Sequence, residues 1–204
     1  MVKNQLIGVA GLASAGKDTI YKLVSQYVQE GDRKCHRFSF ADEVRKGCMH
    51  MVESELQIDV FNPTPEEKKI IRPILVAFGE AMKARFGQEV WLKKCQQSIV
   101  NSYRYGSLRP NDIIVITDVR FPFELQWVQD AGGCVVHISR EGVEPPNEYE
   151  RLNDPVLQER ADLCLRVPDV GKDIYMLSPY AEQVAQLGKD VFEKKSKKGL
   201  QSIR

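Results

Sequence analysis

The apolar run Leu6-Ile7-Gly8-Val9-Ala10 passes directly into Gly11-Leu12-Ala13-Ser14-Ala15-Gly16-Lys17-Asp18-Thr19, and a helix-like stretch follows. A buried strand, a glycine-bounded turn and a helix start in that order constrain the fold more than any other segment does. Two glycines separated by four residues let the backbone curl so that successive N–H groups of Gly11, Ala13, Ser14, Ala15 and Gly16 face one anion. Lys17 adds a positive charge, and the following helix adds the positive end of its dipole. The ligand this implies is a triphosphate. The pattern G-x-x-x-x-G-K-[ST] fails only at its last position, where Asp18 replaces the hydroxyl residue and Thr19 follows. A carboxylate beside a triphosphate repels it unless a divalent cation intervenes, so Asp18 is expected to support Mg²⁺, directly or through water. The alternative is an ordinary glycine turn with Lys17 merely solvated.

The rest of the chain alternates strand-like with helix-like runs, the pattern of a mostly parallel sheet covered on both faces. Strands are expected at Leu6–Ala10, His36–Phe40, Ile113–Thr117, Cys134–Ser139 and Leu163–Val167. The first helix should span about Gly16–Gln29 and stop near Gly31, and another should begin near Ala41. Thr64-Pro65-Glu66-Glu67 has the form of a capping box with proline at the first helical position. Pro73 should kink or restart that helix, whose second half ends near Gly87. Trp91, Cys95, Ile99 and Tyr103 recur every four residues and place one stripe on a helix that ends at Gly106. Ser178-Pro179 opens the last helix.

The expected fold is therefore α/β, a three-layer sandwich of the phosphate-loop NTPase type. It has a mostly parallel five-stranded sheet in a single domain over residues 1–204, with a helical insertion over about 41–110. Residues 140–153 carry Gly142, Pro145, Pro146 and Asn147 without periodicity, and form a candidate lid or a plain surface loop. The tail over 193–204, with Lys194, Lys195, Lys197 and Lys198, is expected to fray.

Bulk properties exclude several classes. With 29 Lys and Arg against 28 Asp and Glu, a net charge of +1 supplies no general attraction to nucleic acid or to an anionic membrane. No apolar run approaches the ~20 residues of a membrane span. No signal-peptide pattern opens the chain. Five cysteines without C-x-x-C pairs argue against a disulfide framework or a zinc site and for reduced thiols in a cytoplasm. The three histidines, His36, His50 and His137, show no ligand spacing and read as structural.

A second constellation closes the run Ile113–Thr117: Asp118-Val119-Arg120-Phe121-Pro122-Phe123-Glu124. Polar groups at the carboxyl end of a strand lie where ligands bind in such sheets. Arg120 can grip a phosphate bidentately, while Asp118 and Glu124 can accept from sugar hydroxyls or base amino groups, or orient a metal's waters. A structural Asp118/Arg120 ion pair is the alternative.

Three motifs in this order resemble the deoxynucleoside monophosphate kinases of tailed bacteriophages. They are the loop ending Gly16-Lys17-Asp18-Thr19, the helix segment Arg72-Pro73-Ile74-Leu75-Val76-Ala77-Phe78-Gly79 followed by Trp91, and Asp118-x-Arg120-x-x-x-Glu124. The likeness continues through Gly132–Arg140 and Ala161-Asp162-Leu163. It implies transfer of the ATP γ-phosphoryl group to a deoxynucleoside monophosphate, with Mg²⁺, in a cytoplasm (that of the host for a phage protein), by a homodimer. Carried over by position, Lys17, Asp18 and Thr19 serve ATP and Mg²⁺, with Arg140 as an ATP-side lid candidate beside Arg151. Arg72 becomes a phosphate-side arginine, Gly79 and Trp91 line the monophosphate pocket, and Asp118 and Glu124 contact the acceptor nucleoside. Arg120 binds the acceptor phosphate or the group in flight. Lys17, Arg72, Asp118 and Arg120 form the catalytic set. The chain departs from the family at Val76, where glutamine is usual, and at Glu80, where threonine is usual. It also lacks a histidine over 140–154 and an asparagine after the last strand, where Val167 and Pro168 stand.

Two other readings stay open at the level of sequence. A kinase with a hydroxyl acceptor, a deoxynucleoside or dephospho-coenzyme A, would need a general base, and Asp118 could serve. A non-kinase nucleotide-dependent binding module would need only the loop.

Overall fold

The computed structural model describes residues 4–28, 33–171 and 173–201. In chain order the elements are β1 (Gln5–Ala10), α1 (Lys17–Val28), β2 (Cys35–Phe38), α2 (Phe40–Leu56), α3 (Pro65–Phe86), α4 (Val90–Arg104), β3 (Ile113–Val119), α5 (Pro122–Asp130), β4 (Cys134–Arg140), α6 (Glu148–Arg160), β5 (Leu163–Val167) and α7 (Ser178–Gln201). They fall into two compact units, Met1–Arg37 with Leu108–Arg204, and Phe38–Ser107.

The first unit is built on a five-stranded sheet in the order β2-β3-β1-β4-β5. β1 pairs in parallel with β3 on one side and β4 on the other, and β4 pairs in parallel with β5. Every residue of β1 and β3 is buried, which is why both segments read as unbroken apolar runs rather than alternating ones. On one face Ile20, Leu23 and Val24 of α1 and Ala181, Val184 and Ala185 of α7 pack with Ile7, Val9, Val115, Val136 and Ile138. On the other, Leu125 and Val128 of α5 are fully buried. A side chain at Gly8 would meet Val119, Val128 and Val135 at 3.2 Å, so the glycine lets α5 settle on the centre of the sheet. The result is a three-layer α/β sandwich.

The second unit is helical. Cys48 and Val52 of α2, Ile58, Val60 and Ile71 form its core, with Leu75 and Phe78 against it. Gly47 lets the Phe78 ring approach, since a Cβ there would lie 2.5 Å from the ring. Thr64 closes the expected capping box with Glu67 at the start of α3. Val90, Trp91, Leu92 and Cys95 are the buried face of α4.

Several boundaries differ from the sequence reading. Phe40 opens α2 instead of ending β2, because Phe38 completes the strand and Ser39 sits in extended backbone as N-cap. Asp118 and Val119 still belong to β3. Pro73 does not restart α3, which continues from Pro65 to Phe86 with the proline inside it. In the stretch over 140–153 Arg140 ends β4 and the loop reaches only Asn147, whose side chain accepts from the Glu150 N–H and starts α6. The backbone of α7 is helical to Gln201, where fraying was expected from residue 193. The stop expected near Gly31 lies outside the described residues.

Candidate active site

At the carboxyl end of β1 the backbone turns at Gly11 with φ +128°, and a Cβ there would fall 2.1 Å from the carbonyl oxygen of Ile138 in β4. Only glycine passes the neighbouring strand this closely. The turn then takes positive φ at Ser14 (66°) and Gly16 (97°), and the Gly16 carbonyl accepts from Ile20 N–H to start α1. Alternating backbone conformations of this kind turn N–H groups toward a common centre. Lys17 is buried, and its Nζ donates to the carbonyls of Gly11 at 2.6 Å and Leu12 at 2.7 Å.

β3, adjacent to β1, delivers the second group to the same sheet edge. Asp118 is buried at the strand end and Arg120 follows it into solvent. Burial depresses the Lys17 pKa, the nearby positive charge of Arg120 depresses it further, and Glu150, Asp118 and Asp18 act against this. The glycine turn and the segment near residue 120 thus lie within one unit.

Glu150 at the start of α6 makes the connection physical. Its Oε2 accepts from the Ala13 backbone N–H at 2.7 Å, and its Oε1 accepts from Arg120 Nη1 at 3.3 Å. Residue-by-residue reading missed Glu150, although Asn147-x-x-Glu150 has the form of a helix N-terminal signature. His137 of β4 anchors the same helix, its Nε2 lying 2.9 Å from Asp154 Oδ1. A comparable contact at 2.9 Å joins His36 to Asp112, so both histidines serve as struts, and His50 is exposed.

The other sequence candidates have distinct places. Glu124 is directed at its own turn: Oε2 accepts from Arg120 N–H at 2.7 Å and Phe121 N–H at 3.0 Å. Its burial pushes the carboxyl pKa up to about 8, the two backbone donors opposing this and Asp118 adding to it. Asp18 is exposed, and its Oδ1 lies 3.6 Å from Arg37 Nε, a pairing that nothing in the sequence announced. Thr19 is partly buried one residue along. Arg140, at the end of β4, lies 3.9 Å from Asp169, and Arg151 pairs with Glu148 on the exposed face of α6. In the helical unit Arg72 is exposed on α3, while Gly79 and Trp91 meet, the indole N–H donating to the Gly79 carbonyl at 3.3 Å. The Trp91 ring lies 5.8 Å from Phe78 and is buried, which gives it a packing role within that unit.

Among the described residues no group of three or more His, Cys, Asp and Glu side chains is placed to hold a metal by itself. Mg²⁺ bound with a nucleotide needs no such cage, taking one or two protein oxygens with phosphate oxygens and waters. The oxygens of Asp18 and Thr19, at the start of α1, fit that requirement. The five cysteines are free thiols. No helix among the described residues is long and apolar enough to cross a membrane.

A parallel sheet whose central strand feeds a glycine loop and a buried lysine, with an arginine from the adjacent strand at the same edge, is the arrangement of a phosphate-loop nucleotide-binding fold. The chain belongs to the deoxynucleotide monophosphate kinase family, whose model matches residues 26–151, more than half of its length. That match begins beyond the glycine loop, so loop and match are separate observations. No curated protein matches the chain in sequence. Among solved structures it is similar to shikimate kinase from Aquifex aeolicus, at 12% identity over 89% of this chain and 96% of that one, with a TM-score of 0.45. It is also similar to dephospho-CoA kinase from Campylobacter jejuni, at 12% identity over 93% and 98%, with a TM-score of 0.41.

Proposed function

We propose that the chain transfers the γ-phosphoryl group of Mg-ATP to a deoxynucleoside monophosphate, with the glycine loop holding the donor and the Asp118-Arg120 segment facing the acceptor. The observation that carries this division of labour is a buried lysine and an arginine on the segments that leave the same edge of the sheet after the adjacent parallel strands β1 and β3. The arginine's charge also lowers the lysine's pKa. Two like charges held together at a sheet edge suit a polyanion, and phosphoryl transfer needs donor and acceptor phosphates aligned despite their mutual repulsion.

In this reading the N–H groups of Gly11–Gly16 and Lys17 bind the β- and γ-phosphates, while Asp18 and Thr19 hold Mg²⁺, directly or through water. Mg²⁺, when bound, would neutralise phosphate charge there. Arg120 aligns the acceptor phosphate or the group in transit. Asp118 accepts from the acceptor's sugar or base, and Glu124, ionising only near pH 8, supports the turn beneath it without adding full negative charge at neutral pH. In the helical unit Arg72, Gly79 and Trp91 are the residues the family resemblance assigns to the monophosphate, and Arg140 is its ATP-side candidate. A monophosphate with a second pKa of about 6 is largely dianionic at neutral pH and attacks without a general base. The cytoplasmic location and the homodimer rest on the resemblance.

The test is ADP release from Mg-ATP with and without added deoxynucleoside monophosphates. Release that depends on the monophosphate, with a matching diphosphate product, is expected. Equal release without any acceptor would replace this reading with a nucleotide-hydrolysing module.

A further inference from the structure

Glu150 has no part in the roles above, yet its side chain is bonded to the donor loop. It lies 8% exposed, more deeply buried than an acid of a helix's first turn needs to be. Its two oxygens are spent on different partners: Oε2 on the Ala13 N–H at 2.7 Å, Oε1 on Arg120 Nη1 at 3.3 Å and Asn147 Nδ2 at 3.4 Å. Ala13 is the third residue of the glycine loop, and its N–H is among the groups that a triphosphate oxygen would use. Arg120 is the cation the acceptor phosphate would use. The helix bearing the acid is fixed on the sheet by the His137–Asp154 contact.

We propose that Glu150 is a positioning residue that takes the place of phosphate: its carboxylate occupies the loop N–H and ties Arg120 to it, and a bound polyphosphate displaces it from both. The proposal rests on the assignment of the loop to the donor. Three consequences follow from the chemistry. An internal anion at the loop competes with the external one and lowers its affinity. The loop and the arginine are kept at a fixed distance while no nucleotide is present. Displacement frees Arg120 only after the donor has entered, which favours binding of the acceptor phosphate in second place. No covalent bond is made or broken in this exchange, since one anionic hydrogen-bond acceptor replaces another.

The experiment measures binding of inorganic tripolyphosphate and of Mg-ADP to the full chain by calorimetry, comparing the unaltered protein with Glu150→Gln and Glu150→Asp. Tripolyphosphate has no base or sugar and needs no acceptor, so its binding reports the loop alone. Glu150→Gln keeps the shape of the side chain and removes the charge, and should bind tripolyphosphate about tenfold more tightly, in line with the strength of a hydrogen bond to a charged group. Glu150→Asp keeps the charge on a shorter stem and should fall between the two. A gain of affinity that persists at high salt is the outcome that neither a merely structural role nor the loss of one nearby negative charge produces, and a gain that salt abolishes overturns the displacement. Equal or weaker binding by a folded Glu150→Gln protein, judged by its circular dichroism, would overturn the proposal and leave the kinase reading intact. If Glu150→Gln does not fold, Glu150→Asp decides alone, and affinity no better than that of the unaltered protein overturns the proposal. Tripolyphosphate binding by none of the three proteins would overturn the donor assignment together with the proposal.

Discussion

The buried carboxyl of Glu124 yields a sharp prediction about stability. It is 5% exposed, and burial raises its pKa from 4.5 to about 8, with two backbone N–H groups pulling the other way. Because the folded value lies above the unfolded one, the stability this group contributes is fully present below pH 4.5 and is lost as the pH rises through about 8. Glu124→Gln is the matched perturbation. Its amide oxygen can accept from the Arg120 and Phe121 N–H groups as the acid does, and it cannot ionise. At ~1.4 kcal/mol per pH unit, the interval from 4.5 to about 8 sets a ceiling of ~5 kcal/mol. About half of that is expected once the protein relaxes around the charge. For a chain of this size ~1 kcal/mol moves Tm by roughly 2–4 °C. Thermal unfolding of both proteins at pH 5 and pH 8.5 should show near-equal Tm at the lower pH. At the higher pH the variant should be ahead by ~5 °C or more. Other titrating groups are common to both proteins and cancel in the difference. A gap that does not change with pH, or an unaltered protein that gains on the variant as pH rises, would refute the reasoning.

Two further outcomes are expected. Arg120→Ala should lower kcat by on the order of 10³ or more, as for other charge-stabilising arginines in phosphoryl transfer, with Tm little changed because the guanidinium is nearly half exposed; steady-state kinetics check the first and a melt checks the second. Gly11→Ala should cost ~3 kcal/mol or more, because the added methyl falls 2.1 Å from the Ile138 carbonyl at a φ of +128°; the urea midpoint reads this, and binding of tripolyphosphate should be lost with it.

Local signals served well where the physics is local. The strand Leu163–Val167 and the helix start at Thr64 follow from apolar runs and capping chemistry that a few neighbouring residues decide. The glycine loop was legible for the same reason, since positive φ at Gly11 and Gly16 and the buried lysine belong to one short segment. At Pro73 the expected restart does not occur because a tertiary effect decides: α3 packs Ile71, Leu75 and Phe78 into the helical core, and that burial keeps the helix continuous through the proline. Glu150 stayed hidden because its partner Ala13 is 137 residues away, and no pattern within the loop or within α6 carries that pairing. Glu124 is expected to face a ligand because its type and spacing suit one, and the same spacing brings its Oε2 back to the N–H groups of Arg120 and Phe121 at the start of α5.

The central claim, that loop and arginine serve two phosphates at one sheet edge, is tested most directly by acceptor preference. With Mg-ATP as donor, the purified chain should phosphorylate deoxynucleoside monophosphates to diphosphates and leave free deoxynucleosides and dephospho-coenzyme A untouched. Phosphorylation of either hydroxyl acceptor in preference to the monophosphates would contradict it.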